Sequence, residues 1–359
     1  MTPLVSATID TSALRHNLNV VRQRAPRSRV MAVIKANAYG HGLVGTAQAL
    51  DNADLFAVAR VDEGLALRRA GVRNDVLLLE GVFDADQLNA AATAGFALVV
   101  HEREQIELLR TAPAQSRFKV WLKFDSGMNR LGFKGTDFSA AHTALRELAC
   151  VQQPVNLFTH LASADMPDSS NTTEQLARFA RVTQGLPGER SIANSAGMVA
   201  FPEAQADWVR PGLLLYGVSP FAGYIGEDHG LMPVMTLQSH VIALKDLVVG
   251  EQVGYSGDWR AARPTRLAIA GVGYGDGYPR SLPSGAPVLV NAQRAPLAGR
   301  VSMDMIGIDV TDLEQPAQLG DPVVLWGSGM PVEEVAVWAS TIPYELLCGI
   351  TQRVPSLQT

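Results

Sequence analysis

Lys35 sits near the end of an apolar run, in Val33-Ile34-Lys35-Ala36-Asn37-Ala38-Tyr39-Gly40-His41-Gly42. An amine beside apolar groups is pushed toward its neutral form, which can attack an aldehyde; that is the chemistry of a Schiff-base lysine. A solitary lysine at a strand end is otherwise an ordinary surface residue. A second group comprises Ser195, in Asn194-Ser195-Ala196-Gly197, with Gly212 and Leu213 just after Arg210. A hydroxyl with backbone N–H groups at helix starts suits a phosphate, and ordinary turn chemistry is the plainer alternative. A phosphate cradle on one side and an aldehyde-capturing lysine on the other would hold pyridoxal 5′-phosphate between them. Lys123, Asp125, Arg130 and His160 are further candidates.

These residues share a place in the pattern of the chain. Eight short apolar runs are read as strands buried on both faces: Val30–Ala36, Leu55–Arg60, Val76–Gly81, Phe96–Val100, Val120–Asp125, Val155–Ala162, Ser191–Ser195 and Trp208–Gly217. Helical periodicity separates them, clearest in Leu43–Asn52, Val61–Ala70, Glu102–Arg110, Phe138–Ala149 and Glu174–Thr183. A helix over Thr11–Arg24, capped by Asp10, precedes the first run. Eight strand–helix units in this span predict an α/β fold, a (β/α)₈ barrel, with an open doubly wound sheet as the competitor. In a barrel the chemistry lies at the carboxyl ends of the strands. Lys35 then ends the first strand, Lys123 and Asp125 the fifth, His160 the sixth and Ser195 the seventh, while Arg210 lies within the eighth. One rim would collect them all.

Beyond about Gly217 the texture changes. Short runs punctuated by Gly and Pro, at Met235–Leu244, Leu267–Val272, Val288–Asn291, Gly307–Val310 and Val323–Trp326, predict a second, mainly β domain. We expect a barrel over residues 10–225 and a β domain over 226–359 that also takes in residues 1–9.

Composition narrows the function classes. The 359 residues carry a net charge of −5, which argues against a nucleic-acid surface. Two cysteines cannot form a disulfide framework, and the seven histidines lack metal-ligand spacing. No apolar run approaches a membrane span and no leader pattern is visible, so a cytoplasmic protein is expected. Gly271–Gly277 is glycine-rich but does not fit G-x-G-x-x-G.

The segment Val33–Gly42 closely resembles the cofactor-lysine signature of bacterial alanine racemases. The likeness continues through Lys123–Gly132, Asn194–Gly197, Val209–Gly212, Val253-Gly254-Tyr255, Gly273–Gly277, Arg300–Asp304 and Ile342–Glu345, in order and at matching spacing. It implies interconversion of L- and D-alanine by two-base proton transfer on a pyridoxal 5′-phosphate aldimine. Lys35 would be the aldimine lysine and one base. Tyr255, supplied by a second subunit of a homodimer, would be the other. Arg210 matches the family's partner for the pyridine nitrogen, with His160 beside the cofactor. Tyr39, Ser195, Gly212, Leu213 and Tyr344 match phosphate contacts. Arg130 would grip the substrate carboxylate or support the cofactor's phenolic oxygen. Lys123 matches a position carbamylated in some members, an ordinary ion-paired lysine being the alternative. Tyr274, Met303 and Asp304 match residues that the partner places at the substrate entrance.

Decarboxylases of basic amino acids share the barrel and a similar lysine. They carry a glycine triplet for phosphate and a reactive cysteine in the second domain; neither is evident here, and Cys348 is read as lying outside such a context.

Overall fold

The computed structural model describes residues 3–359; residues 1 and 2 of the segment assigned to the β domain lie outside it. The chain opens with β1 (Ser6–Ile9) and a helix over Thr11–Arg24. Asp10 caps that helix, its Oδ1 accepting from the N–H groups of Ser12 and Ala13 at 2.8 and 3.0 Å. The helix buries Ala13, Leu14, Leu18 and Val21 on one face, with Asn17 among them. The Asn17 amide donates to Leu215 and Met232 carbonyls and accepts from the Met232 N–H, so a buried polar group is satisfied while it ties the helix to the interdomain segment.

Eight strands follow: β2 (Arg29–Val33), β3 (Leu55–Val58), β4 (Val76–Leu78), β5 (Ala97–Val100), β6 (Val120–Lys123), β7 (Asn156–Phe158), β8 (Arg190–Asn194) and β9 (Trp208–Arg210). They form a closed parallel barrel, sealed where β2 pairs with β9 at Arg29–Trp208 and Val30–Val209. The open-sheet alternative is excluded by that closure. All eight apolar runs are strands, but shorter ones than the sequence pattern suggests. Thus β2 stops at Val33, two residues before Lys35, and β7 stops at Phe158, two before His160. Ser195 is not the end of β8 but the first residue of the short helix Ser195–Ala200. The runs outlast the strands because some of the first rim residues, Ile34 and Leu161 among them, are buried too. The helix Ala85–Ala94, absent from the clearest sequence signals, is Ala-rich with a weak apolar stripe.

Most of the remaining strands, joined by β1, make a second, mainly antiparallel sheet. The remaining strands are β10 (Met235–Leu247), β11 (Gln252–Val253), β12 (Trp259–Arg260), β13 (Thr265–Ala270), β14 (Pro287–Val290), β15 (Gln293–Pro296), β16 (Ile306–Asp309), β17 (Pro322–Trp326) and β18 (Ser356–Gln358). β10 is the spine: it pairs with β17 and β1 in its first half, shifts register between Val241 and Ala243, and pairs with β13 in its second. β11 and β12 stand apart as a two-stranded hairpin. Two short helices, Val332–Trp338 and Pro343–Cys348, complete the chain's helical inventory among the described residues. No helix among the described residues is long and apolar enough to cross a membrane.

Candidate active site

The barrel's carboxyl rim opens into a cavity of about 620 Å³. Lys35 enters it from a backbone turn of unusual hand. Ala36, Asn37, Ala38 and Tyr39 all have positive φ, between 52 and 54°. Each non-glycine residue so placed costs about 1–2 kcal/mol. The turn is held by the carboxylate of Glu63 on the Ala36 N–H at 2.7 Å, by Asn37 Oδ1 on the Leu43 N–H, and by the His41 ring on the carbonyls of Ala38 and Tyr39. His41 is wholly buried and stacks on Tyr216 at 4.4 Å; burial depresses its pKa to about 4, so Nδ1–H donates from a neutral ring. Gly40, at φ 83°, ends the turn where a Cβ would collide with the Leu347 carbonyl of the helix Pro343–Cys348. Both Lys35 and Tyr39 thereby face the cavity.

Arg210, at the end of β9, is 3% exposed and lies over the Phe158 ring at 4.0 Å. It donates to Ser191 Oγ, to the carbonyls of Thr159 and Ile192, and to His160 Nδ1 at 3.2 Å. Burial lowers its pKa to about 9, which leaves it charged at neutrality. Burial, and then Arg210, hold His160 well below the ordinary histidine value, so its Nδ1 is a lone-pair acceptor. Beneath His160 lies a buried relay in which Gln175 donates to Ser126 Oγ and to the His160 carbonyl.

Lys123 closes β6. Burial, with Arg210 and Arg130 nearby, brings its pKa down to about 8. The Lys35 amine is pushed the same way by burial and by Arg130, against a smaller opposing pull from Glu80 and Glu63. Arg130 is carried by a folded-back loop: Asp125 Oδ1 accepts from the N–H groups of Gly127 and Asn129, and Phe133 donates to the Lys123 carbonyl. Asp125, a rim candidate from sequence, shapes this loop.

Opposite these cations, Ser195 Oγ accepts from the Gly212 N–H at 2.9 Å, and a Cβ at Gly212 would lie 2.5 Å from Tyr39 Oη. Tyr344, from the second domain, packs its ring 5.7 Å from that of Tyr39, and burial raises its pKa to about 12. Leu213 does not line the cavity; its side chain is core, and only its backbone is near the Gly212 turn.

Sequence reasoning missed Glu80 and Cys348, which also line the cavity. Cys348 was set aside from its local context, yet the helix Pro343–Cys348 carries it beside Lys35. No local pattern signals either: Glu80 lies on the rim loop after β4, and Cys348 arrives only with the docking of the second domain.

Four further expected residues also lie outside this cavity. Tyr255 occupies the turn at the tip of the β11–β12 hairpin, 67% exposed, between Gly254 and Ser256 at positive φ. Tyr274, Met303 and Asp304 form a second exposed group. Tyr274 and Gly275 donate to the carbonyls of Ser302 and Met303, and Arg353 bridges Asp304 and Asp276.

A family model described as the alanine racemase N-terminal domain matches residues 9–220, and the alanine racemase C-terminal domain matches 234–358. The chain belongs to the alanine racemase family. An alanine racemase of Shewanella sediminis is 49% identical over 358 residues, 99% of each chain. The alanine racemase structure from Pseudomonas aeruginosa superposes with a TM-score of 0.96 at 44% identity, covering all of both chains. That from Bartonella henselae, with covalently bound pyridoxal phosphate, superposes at 0.87 with 31% identity over 99% of each.

Proposed function

We propose that this alanine racemase interconverts L- and D-alanine with two bases drawn from two copies of the chain, in a cavity that holds pyridoxal 5′-phosphate. The donor set fits that group. Ser195 Oγ, the Gly212 turn and the Tyr39 hydroxyl converge at one wall of the cavity, where a phosphate would meet two hydroxyls and backbone N–H groups. Tyr344 adds a hydroxyl from the other domain. Arg210 faces the same space as a fixed donor suited to an unprotonated ring nitrogen, because its own hydrogen bonds leave it no freedom to turn. When bound, the cofactor supplies an aldehyde for amines and a ring that draws electrons from the substrate α-carbon.

The chain's residues do the rest. Lys35, its amine biased toward neutrality by burial and Arg130, anchors the cofactor and takes or returns the α-proton at Nζ on one face. The base on the opposite face is Tyr255 Oη of a second copy. A hydroxyl displayed at a hairpin tip serves no core of its own and is available to a neighbour. Tyr274, Met303 and Asp304 line the entrance of the neighbour's cavity in the same arrangement. Arg130 grips the substrate carboxylate or steadies the cofactor's phenolic oxygen, as a forked donor does. Lys123, with a pKa near 8, has enough neutral amine to take up carbon dioxide as a carbamate that would orient Arg130.

The convergence of Lys35 with the phosphate-shaped pocket carries the reading. Purified protein given either enantiomer of alanine should yield equal amounts of both by chiral analysis. Carbon dioxide release, or conversion that stops short of equality, would count against it.

A further inference from the structure

The left-handed turn after Lys35 raises a physical question. Four successive residues, none of them glycine, sit where L side chains are strained, and nothing in Ala-Asn-Ala-Tyr favours that conformation except Asn37. Something outside the turn must impose it. Glu63 is placed to do so. It is the third residue of the helix Val61–Arg69, on the next strand–helix unit of the barrel. Its Oε1 accepts from the Ala36 N–H at 2.7 Å, while Oε2 accepts from the N–H groups of Ala59 and Arg60 at 2.8 and 3.1 Å. One carboxylate thus joins the first left-handed residue to the loop after β3 by charge-assisted bonds. The Ala36 N–H is the amide that follows Lys35 directly, so this bond fixes the backbone from which the amine projects.

We propose that Glu63 is a positioning residue for the cofactor site, clamping the left-handed turn so that Lys35 and Tyr39 enter one cavity together. This rests on the reading of those two residues as cofactor-holding. The clamp acts through three backbone amides rather than through its charge on the lysine, and glycine makes that distinction testable. Glycine adopts positive φ readily and needs no clamp there.

The experiment measures the affinity of apoprotein for added pyridoxal 5′-phosphate, and the pH midpoint of the bound cofactor's visible absorbance, in wild type, Glu63→Gln, Ala36→Gly and the double variant. Glu63→Gln keeps one acceptor oxygen and loses the other. It should weaken cofactor binding about tenfold, the worth of a charge-assisted hydrogen bond. It should also broaden or displace the absorbance midpoint while the apoprotein's melting temperature stays within a few degrees. Ala36→Gly in that background should restore most of the affinity. Retained affinity in Glu63→Gln, or a loss that glycine does not rescue, overturns the proposal; the latter would assign Glu63's effect to its charge. Borohydride trapping of cofactor on wild-type Lys35 reads the underlying assignment separately, so a failure there is not a failure of the clamp.

Discussion

Lys35, Lys123, Arg130 and Arg210 share one cavity with the Glu80 carboxylate. Crowded like charges lower one another's affinity for protons and leave the site waiting for anions. Pyridoxal phosphate and an amino-acid carboxylate bring them. In the proposed reaction Arg210 would decide what does not happen: a donor that cannot protonate the ring nitrogen would limit charge withdrawal to what racemisation needs. Arg210→Glu should raise transamination relative to racemisation, measured as pyruvate formed per turnover; an unchanged ratio would count against that role. His41 makes a stability prediction of definite sign. Its pKa falls from 6.5 to about 4 on folding, so the unfolded chain binds the extra proton between those values. The contribution is whole above about pH 6.5 and is lost as pH falls toward 4, roughly 3 kcal/mol in all. His41→Asn should flatten the acid side of a denaturation profile by about one proton. Most of these residues were legible because they lie in local motifs. Glu63, Glu80 and Cys348 were not, since their places depend on how the rim elements and the second domain's helix Pro343–Cys348 meet.

At the scale of elements, buried strands betray themselves by unbroken Val, Leu, Ile and Ala, and all eight barrel strands were readable. Their ends were not, because the apolar residues Ile34, Leu161 and Tyr216, which follow the strands on the rim, are buried as the strands are. β1, β18 and the helix Pro343–Cys348 escaped notice for the opposite reason: they are short and gain their order from partners distant in sequence. That helix docks against the Lys35 turn at Gly40. Gly40→Ala should cost well over 1 kcal/mol in chemical denaturation, combining a positive φ with a backbone collision. Gly42→Ala, at φ 91° with open space around it, should cost only about 1 kcal/mol. Equal effects would mean that the interdomain contact is not what constrains Gly40. Gly212→Ala would push into Tyr39 Oη and should weaken cofactor binding more than it lowers stability.

At the scale of the molecule, the two domains do different work. The barrel gathers a cavity lined by cationic side chains, and the β domain lends Tyr344 to it while displaying Tyr255 on an exposed hairpin. The family resemblance named both proposed bases, yet no sequence pattern gives the distance between them, because in the proposed dimer that distance is a property of the assembly. The division makes a direct test possible. Lys35→Ala lacks one base and Tyr255→Phe lacks the other, so each homodimer should be nearly inactive. If the phenol acts in trans, mixing and reassociating the two should create hybrids, about half of all dimers, each with one site that holds both bases. The account predicts that the mixture regains about a quarter of wild-type racemase activity. Activity that stays at the level of the separate variants would contradict it.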